Sequence, residues 1–381
     1  MNKSKNGIRT FLIFAVSVIL FALVVVLYVV WYQTFDVTGL TFYQNEPIEK
    51  IFLVDDRVYL ITENGNGYVA GNYSSSKDRK YRNSEFRIND KLGTPSPVLF
   101  FDGNIVDIIA CNYGNILFVD DKNVLYELND FTVKKICEDV LQATKSNTTE
   151  KIYFVDKLGR LFSSSERDYC LASNVKMVKA YRETLFVLFN DGNLCKLTGN
   201  NCSETIFTNV KSFDVVDTSE RIFDGENVVA DYLPAIENPL FNVLTNDGEL
   251  YARGYYNLIY KRLTNSSKHA PYVLEDWTII GEDVVDYSLA GMGSLMILND
   301  STCKYFGFDT SFEEGSKVSE RVFDDTDVIS VCETDCAVCY QTDEGFYFLG
   351  NELSLFFDTC GDSRVCDKHN ILSGEAYFLK R

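Results

Sequence analysis

Acidic side chains and cysteines are the groups in this chain with the numbers to do chemistry. The 381 residues hold 55 Asp and Glu against 36 Lys and Arg, and only 2 His, His269 and His369. Two histidines leave His-based metal sites and Ser-His-Asp or Cys-His nucleophiles without a ready base. Paired carboxylates could serve as acid and base on a glycosidic bond, but no motif singles out a pair. Asp324, Asp325 and Asp327 lack the alternating ligand spacing of a calcium loop and read as a solvated turn. Cys336-Ala-Val-Cys339 has no second CxxC, and on a strand positions i and i+3 face opposite ways. No metal, no cofactor and no catalytic residue is therefore expected. The net charge of -19 opposes binding to nucleic-acid phosphates.

The 11 cysteines all follow residue 33, and an odd number leaves one over. Three local pairs are disulfide candidates: Cys195 with Cys202, Cys332 with Cys336, and Cys360 with Cys366. The alternative is that several are buried apolar thiols. Asn72, Asn147, Asn201 and Asn265 begin N-x-Ser/Thr triplets and are candidate glycosylation positions; Asn299 begins another, in a tight turn. Residues 255–279 hold Tyr255, Tyr256, Tyr260, Arg262, Tyr272 and Trp277. Tyr, Trp and Arg anchor interfaces, so these six are the candidate partner-binding residues. The plainer reading packs them under a long loop. Residues 72–98, with Lys77, Arg79, Lys80 and Arg82, read as a solvated loop or a basic contact patch.

Thr10–Tyr32 contains 23 residues without a charge, proline or glycine. About 20 apolar residues span a bilayer core as a helix. Lys3, Lys5 and Arg9 precede it, while Asp36 and Glu46 come before the next basic residue, Lys50. That asymmetry predicts a cytosolic tail over 1–9, a signal anchor over 10–32, and residues 33–381 outside the cell or in a lumen. A cleaved signal peptide is disfavoured, because its apolar region is normally about 7–15 residues.

After residue 33 a unit recurs: an alternating or continuous apolar strand, a polar turn, and a second short strand. Ile51–Gly71, Ile109–Asn129, Val178–Thr198 and Tyr287–Gly307 align without gaps. Further copies contain KIYFVDKLGRLFSSS from Lys151, PLFNVLTNDGELYARG from Pro239 and DCAVCYQTDEGFYFLG from Asp335. Asn190-Asp191-Gly192 and Asn246-Asp247-Gly248 are hairpin chemistry, since these residues tolerate positive φ. A lone hairpin cannot bury its faces, so the units must pack on one another. All-strand units of this size predict the blades of a β-propeller, and seven copies predict seven blades.

The pattern resembles the regulator of chromosome condensation repeats. The resemblance rests on the polar-Gly turns and on an aromatic-x-x-Gly that follows: Tyr68–Gly71, Tyr251–Gly254 and Tyr347–Gly350. It implies a seven-bladed β-propeller over about residues 40–381. The family's Gly-x-x-His and Gly-Gln-Leu-Gly segments are absent, so its nucleotide-exchange activity is not implied. The expected molecule is all-β, a seven-bladed propeller ectodomain behind one transmembrane α-helix. Its expected function is non-enzymatic binding of a protein or glycan ligand through inter-blade loops. The alternatives are a glycan-acting enzyme and, with inverted topology, a cytosol-facing regulator. Carboxylates converging on the channel about 5–9 Å apart favour the enzyme; an apolar or aromatic rim favours binding.

Overall fold

The structure is a computed structural model. It describes residues 46–54, 57–71, 98–110, 116–129, 132–146, 148–198, 201–216, 221–224, 227–231, 238–256, 272–290, 293–308, 318–322, 328–332, 337–342, 345–350 and 377–380. The apolar segment Thr10–Tyr32 lies outside them.

The described residues are all-β. The first sheet runs β1 (Ile48–Val54), β2 (Arg57–Thr62), β3 (Gly67–Gly71) and β4 (Val98–Phe101). The second runs β5 (Ile105–Ala110), β6 (Ile116–Asp120), β7 (Leu125–Asn129) and β8 (Thr132–Cys137). A three-stranded sheet follows, β9 (Val140–Lys145), β10 (Ile152–Asp156) and β11 (Leu161–Ser163). Next come β12 (Val175–Tyr181), β13 (Thr184–Phe189), β14 (Leu194–Thr198) and β15 (Asn201–Phe207). The following sheet is β16 (Val210–Val216), β19 (Leu240–Thr245), β20 (Leu250–Tyr256) and β21 (Tyr272–Gly281); between its first two strands lies a separate hairpin, β17 (Arg221–Asp224) and β18 (Asn227–Asp231). Then come β22 (Val284–Ala290), β23 (Gly293–Leu298), β24 (Cys303–Phe308) and β25 (Val318–Val322). The last sheet is β26 (Ser330–Cys332), β27 (Ala337–Gln341), β28 (Gly345–Gly350) and β29 (Tyr377–Lys380).

Six sheets thus have four antiparallel strands each, and they are blades. In the three-stranded sheet the fourth strand shrinks to a bridge, where Leu161 N–H donates to Ala172 O at 2.9 Å and Leu171 N–H to Leu161 O at 2.8 Å.

The second strand of each blade shows why blades must stack. β6 is buried along its whole length. Ile116 and Phe118 pack with Tyr59, Ile61 and Val98 of the first blade. Leu117 and Val119 face the other way, onto Val140, Ala143 and Phe154 of the three-stranded sheet. The same division recurs on β13 and β19. A strand covered on both faces reads as an apolar run rather than an alternation, as the sequence does. The inner strands β9, β12, β16, β22 and β26 adjoin in that order, and β26 also adjoins β1, so the array returns to its start. That arrangement is a β-propeller.

The predicted hairpin turns are present. In Asn190-Asp191-Gly192, the Gly192 N–H donates to Phe189 O at 3.0 Å with φ +84°; in Asn246-Asp247-Gly248, Gly248 repeats both features. Where Gly is missing, Asn123 (φ 60°) and Ser301 (φ 64°) take the left-handed position. At Asn123 the Asp120 carboxylate braces the turn by accepting from the N–H of Lys122 and of Val124, at 3.0 and 2.8 Å. β29 lies on the outer edge of the last blade.

Candidate functional site

One sequence position builds the channel mouth. Each inner strand begins with a buried Ile or Val, then a residue bulged out of register with the neighbouring strand. The register slips between Ile48 and Lys50, Ile105 and Asp107, Val175 and Met177, Val210 and Ser212, and Val284 and Asp286. It also slips opposite Val140 and Gln142. The extra residues are Glu49, Val106, Leu141, Lys176, Lys211 and Val285; Ile329 holds the same place before β26, donating its N–H to Gln341 O at 2.7 Å. A bulge re-aims its side chain. Val106, Leu141, Val285 and Ile329 are 50%, 57%, 39% and 55% exposed. They are four of the nine large hydrophobic side chains exposed among the described residues.

Backbone hydrogen bonds fix this rim to the turns. Each left-handed turn residue accepts from the buried residue that starts the next inner strand. The six links are Ile105 to Gly65, Val140 to Asn123, Val175 to Gly159, Val210 to Gly192, Val284 to Gly248 and Val328 to Ser301, at 2.8–3.0 Å. The next contact inward comes from lysines. Lys176 Nζ donates to Lys211 O at 2.7 Å, and Lys211 Nζ to Val285 O at 2.8 Å. Lys50 Nζ reaches Val106 O at 3.1 Å. These stems lie from one blade to the next and keep their charges at the mouth. Exposed turn carboxylates, among them Asp121, Asp191, Asp247 and Asp300, surround the rim.

Deeper in the channel, Asp107 and Asp286 are reached by solvent yet closely enclosed by protein. Burial raises the pKa of Asp107, opposed by Lys179 and Lys50. Burial also raises Asp286, opposed by the Tyr287 N–H and by Lys211. Lys179 pairs with Asp214 at 2.9 Å. Asp107 thus feels the charges of Lys179 and Lys50, and Asp286 that of Lys211, each from another sheet. An acid whose folded pKa exceeds its unfolded value costs stability as pH rises through that interval. Asp107→Asn and Asp286→Asn are therefore expected to raise the melting temperature at neutral pH, with the gain disappearing below the ordinary value of 3.8. Thermal melts across acidic and neutral pH check this; a lower neutral-pH midpoint would show that the lysine contacts dominate.

The predicted aromatic cluster is divided by the fold. Tyr256 is fully buried, with its hydroxyl 3.4 Å from Ser294 Oγ, and burial pushes its pKa up. It is a packing residue between blades, not a surface anchor, because β20 carries alternate side chains into the interface with β22 and β23. Trp277 packs edge-on to Phe207 at 5.0 Å and lies under Arg253 at 5.8 Å. Tyr255 is half-buried, while Tyr272 is 41% exposed on the outermost strand. Tyr260 and Arg262 lie outside the described residues. The four placed residues thus belong to the outer half of one blade, away from the channel mouth.

Register bears on one of the three predicted cysteine pairs. Cys195 stands opposite Thr205, and Cys202 opposite Leu197, so the two are not cross-strand partners. Cys332 stands opposite Cys339. Cys336, Cys360 and Cys366 lie outside the described residues, as do Asn72, Asn147 and Asn265. Asn201 begins β15.

Sequence reading missed the rim, although a signal exists. Asn104-Ile105-Val106, Asp139-Val140-Leu141, Asn174-Val175-Lys176, Asn209-Val210-Lys211, Asp283-Val284-Val285 and Asp327-Val328-Ile329 share one form, Asx, then Ile or Val, then the rim residue. The Asx is there for its backbone: Asp139, Asn174, Asn209 and Asp283 have φ of 61°, 63°, 60° and 57°, a region that Asn and Asp tolerate best among non-glycine residues.

Comparison with known proteins adds little to this geometry. No protein-family model and no curated protein matches the chain. Among solved structures the chain is similar to Prp20p of Saccharomyces cerevisiae, a structure described with its binding to Gsp1p and histones. That match has 12% identity, 76% of this chain, 80% of that chain and a TM-score of 0.48. It is also similar to yeast RCC1 (Prp20) bound to Kap60, at 12% identity, 85% and 74% coverage and a TM-score of 0.41. PorZ of Porphyromonas gingivalis matches at 14% identity over 81% of this chain and 37% of that one, with a TM-score of 0.46. No residue role is carried over at these values, and the propeller rests on the sheet topology above.

Proposed function

We propose that this chain is a membrane-anchored, outward-facing seven-bladed propeller that binds a protein partner at the channel mouth without catalysing a reaction. The three-stranded sheet β9–β11 is the remaining blade of that count. Its support is its position: β9 adjoins β6 on one side and β12 on the other. Gln142, Thr144 and Ser146 also bond it to the backbone of the next blade, at Val178, Ala180 and Arg182. The outward orientation rests on the uncharged Thr10–Tyr32 and the basic residues before it.

The rim carries the functional reading. Four exposed aliphatic side chains share one register position, three of them in different inner strands and Ile329 just before a fourth. Isolated exposed hydrophobics need no explanation, but a set gathered at one place marks an interaction surface. The test uses intact cells displaying the full chain, treated with a cross-linker that cannot cross membranes. A partner is expected to be captured by the wild type and at least about tenfold less by Leu141→Asp/Ile329→Asp, the loss of a single hot spot being about 2 kcal/mol or more. Equal capture by the folded variant removes the rim from the proposal. Failure of the reagent to label the propeller at all reverses the orientation.

A further inference from the structure

We infer that the channel mouth faces the membrane that holds this chain, and that it takes an apolar segment of a second protein embedded in that same membrane. The inference rests on the anchored, outward-facing reading above, to which it adds a direction and a kind of partner.

The chain enters the propeller on the mouth side. Pro47 O accepts from the Glu63 N–H at 2.9 Å, as Asn104, Asp139, Asn174, Asn209 and Asp283 accept from the turns of their own blades at 2.8–3.1 Å. Pro47 therefore stands where the Asx stands in those blades, directly before the buried Ile48 and the rim position Glu49. The Tyr68 hydroxyl, at the start of β3, donates to Glu46 Oε1 at 2.6 Å and fixes the preceding residue at the same end. Residues 33–45 alone separate this point from Thr10–Tyr32. Such a stretch spans at most about 47 Å when fully extended. To lay the opposite face on the membrane, the chain would first cross three strand spacings, about 14 Å, and then descend the blade along seven-residue β1, about 23 Å. That detour takes up roughly four-fifths of the greatest reach. With the mouth toward the membrane no detour arises.

Two features choose a protein over the lipid itself. The turns bond to the residues that precede the rim, so the exposed carboxylates of Asp121, Asp191, Asp247 and Asp300 stand farther out than the rim does. A flat leaflet would bury these charges before touching Val106, Leu141, Val285 or Ile329, and burying unpaired charge is costly. A narrow polypeptide passes between the turns. A protein in the same membrane is also confined to the gap that the tether spans, which raises its effective concentration at the mouth.

The test uses the full chain on intact cells, with photoreactive benzoylphenylalanine replacing Leu141 or Ile329 at the mouth, or Glu183 in the turn between β12 and β13 at the other end of the blade. Cells lacking the chain and grown on heavy amino acids are mixed in. Irradiation is expected to join both mouth variants, and not the Glu183 variant, to a light protein that stays with the membranes in alkaline carbonate. A mouth adduct with a protein that carbonate releases, or with a heavy protein from another cell, overturns the inference and leaves binding at the rim intact. Adducts to lipid alone, equal adducts from Glu183, or no adducts also overturn it. Release of the chain itself by carbonate overturns instead the anchored reading beneath it.

Discussion

Gly254→Ala lowers the stability of the propeller by about 2–6 kcal/mol, the sum of about 1–3 for a strained backbone and about 1–3 for overpacking. Gly254 has φ +116°, which L side chains rarely adopt. An added Cβ would stand 2.1 Å from Pro239 O, 2.7 Å from Pro239 C and 2.9 Å from Leu240 Cα. All three are backbone atoms, so no rotamer change relieves the clash. The start of β19 must move, and with it a strand buried along its whole length. Gly103→Ala is the control: its Cβ meets the Phe101 ring at 2.8 Å, a side chain rather than backbone, and its φ is not in the strained range. Urea unfolding followed by fluorescence compares the two. A loss at Gly254 no larger than at Gly103 would show that the irregular pairing of β20 with β21 beside it absorbs the methyl group. The same glycine is the last residue of an aromatic-x-x-Gly element, so in this blade that element is explained by close backbone approach.

Phe118→Ala costs about 3–5 kcal/mol, the range for emptying an aromatic site in a packed core. Phe118 is fully buried on β6. Its ring meets Phe101 at 4.9 Å and 65°, Phe100 at 5.5 Å and 70°, and Tyr126 at 5.1 Å and 14°. Edge-to-face pairs add to area burial. The cluster joins the outer strand β4 of the first blade to the middle strands of the second, so its loss also loosens the two blades from each other. Phe118→Leu keeps most of the volume and is expected to cost markedly less. A loss below about 1 kcal/mol for alanine, when a well-packed site costs several, would mean that Phe100 and Phe101 collapse into the space.

Strand and turn identity were legible because both depend on neighbours in sequence. Asn-Asp-Gly at 190–192 and 246–248 marks its turn through backbone preference alone, and the structure forms both. Leu185–Leu188 and Leu240–Leu244 read as core strands because few other environments accept such runs. Tyr256 and Trp277 show the limit. Aromatic content suggested an interface, but burial is set by which face of β20 and β21 meets the adjoining blade.

The rim makes the same distinction at the functional site. In Ile105-Val106, Val140-Leu141, Val284-Val285 and Val328-Ile329 two aliphatic residues stand side by side, and composition treats them alike. The bulge buries the first and exposes the second. The chain by itself determined an all-β array of hairpin units, their turns, and an uncharged segment long enough to span a bilayer, since periodicity, turn chemistry and charge are local properties. Only the tertiary structure decided which residues meet at the channel mouth and which aromatics pack between blades. Those depend on register and on blade-to-blade contacts, which join positions tens of residues apart.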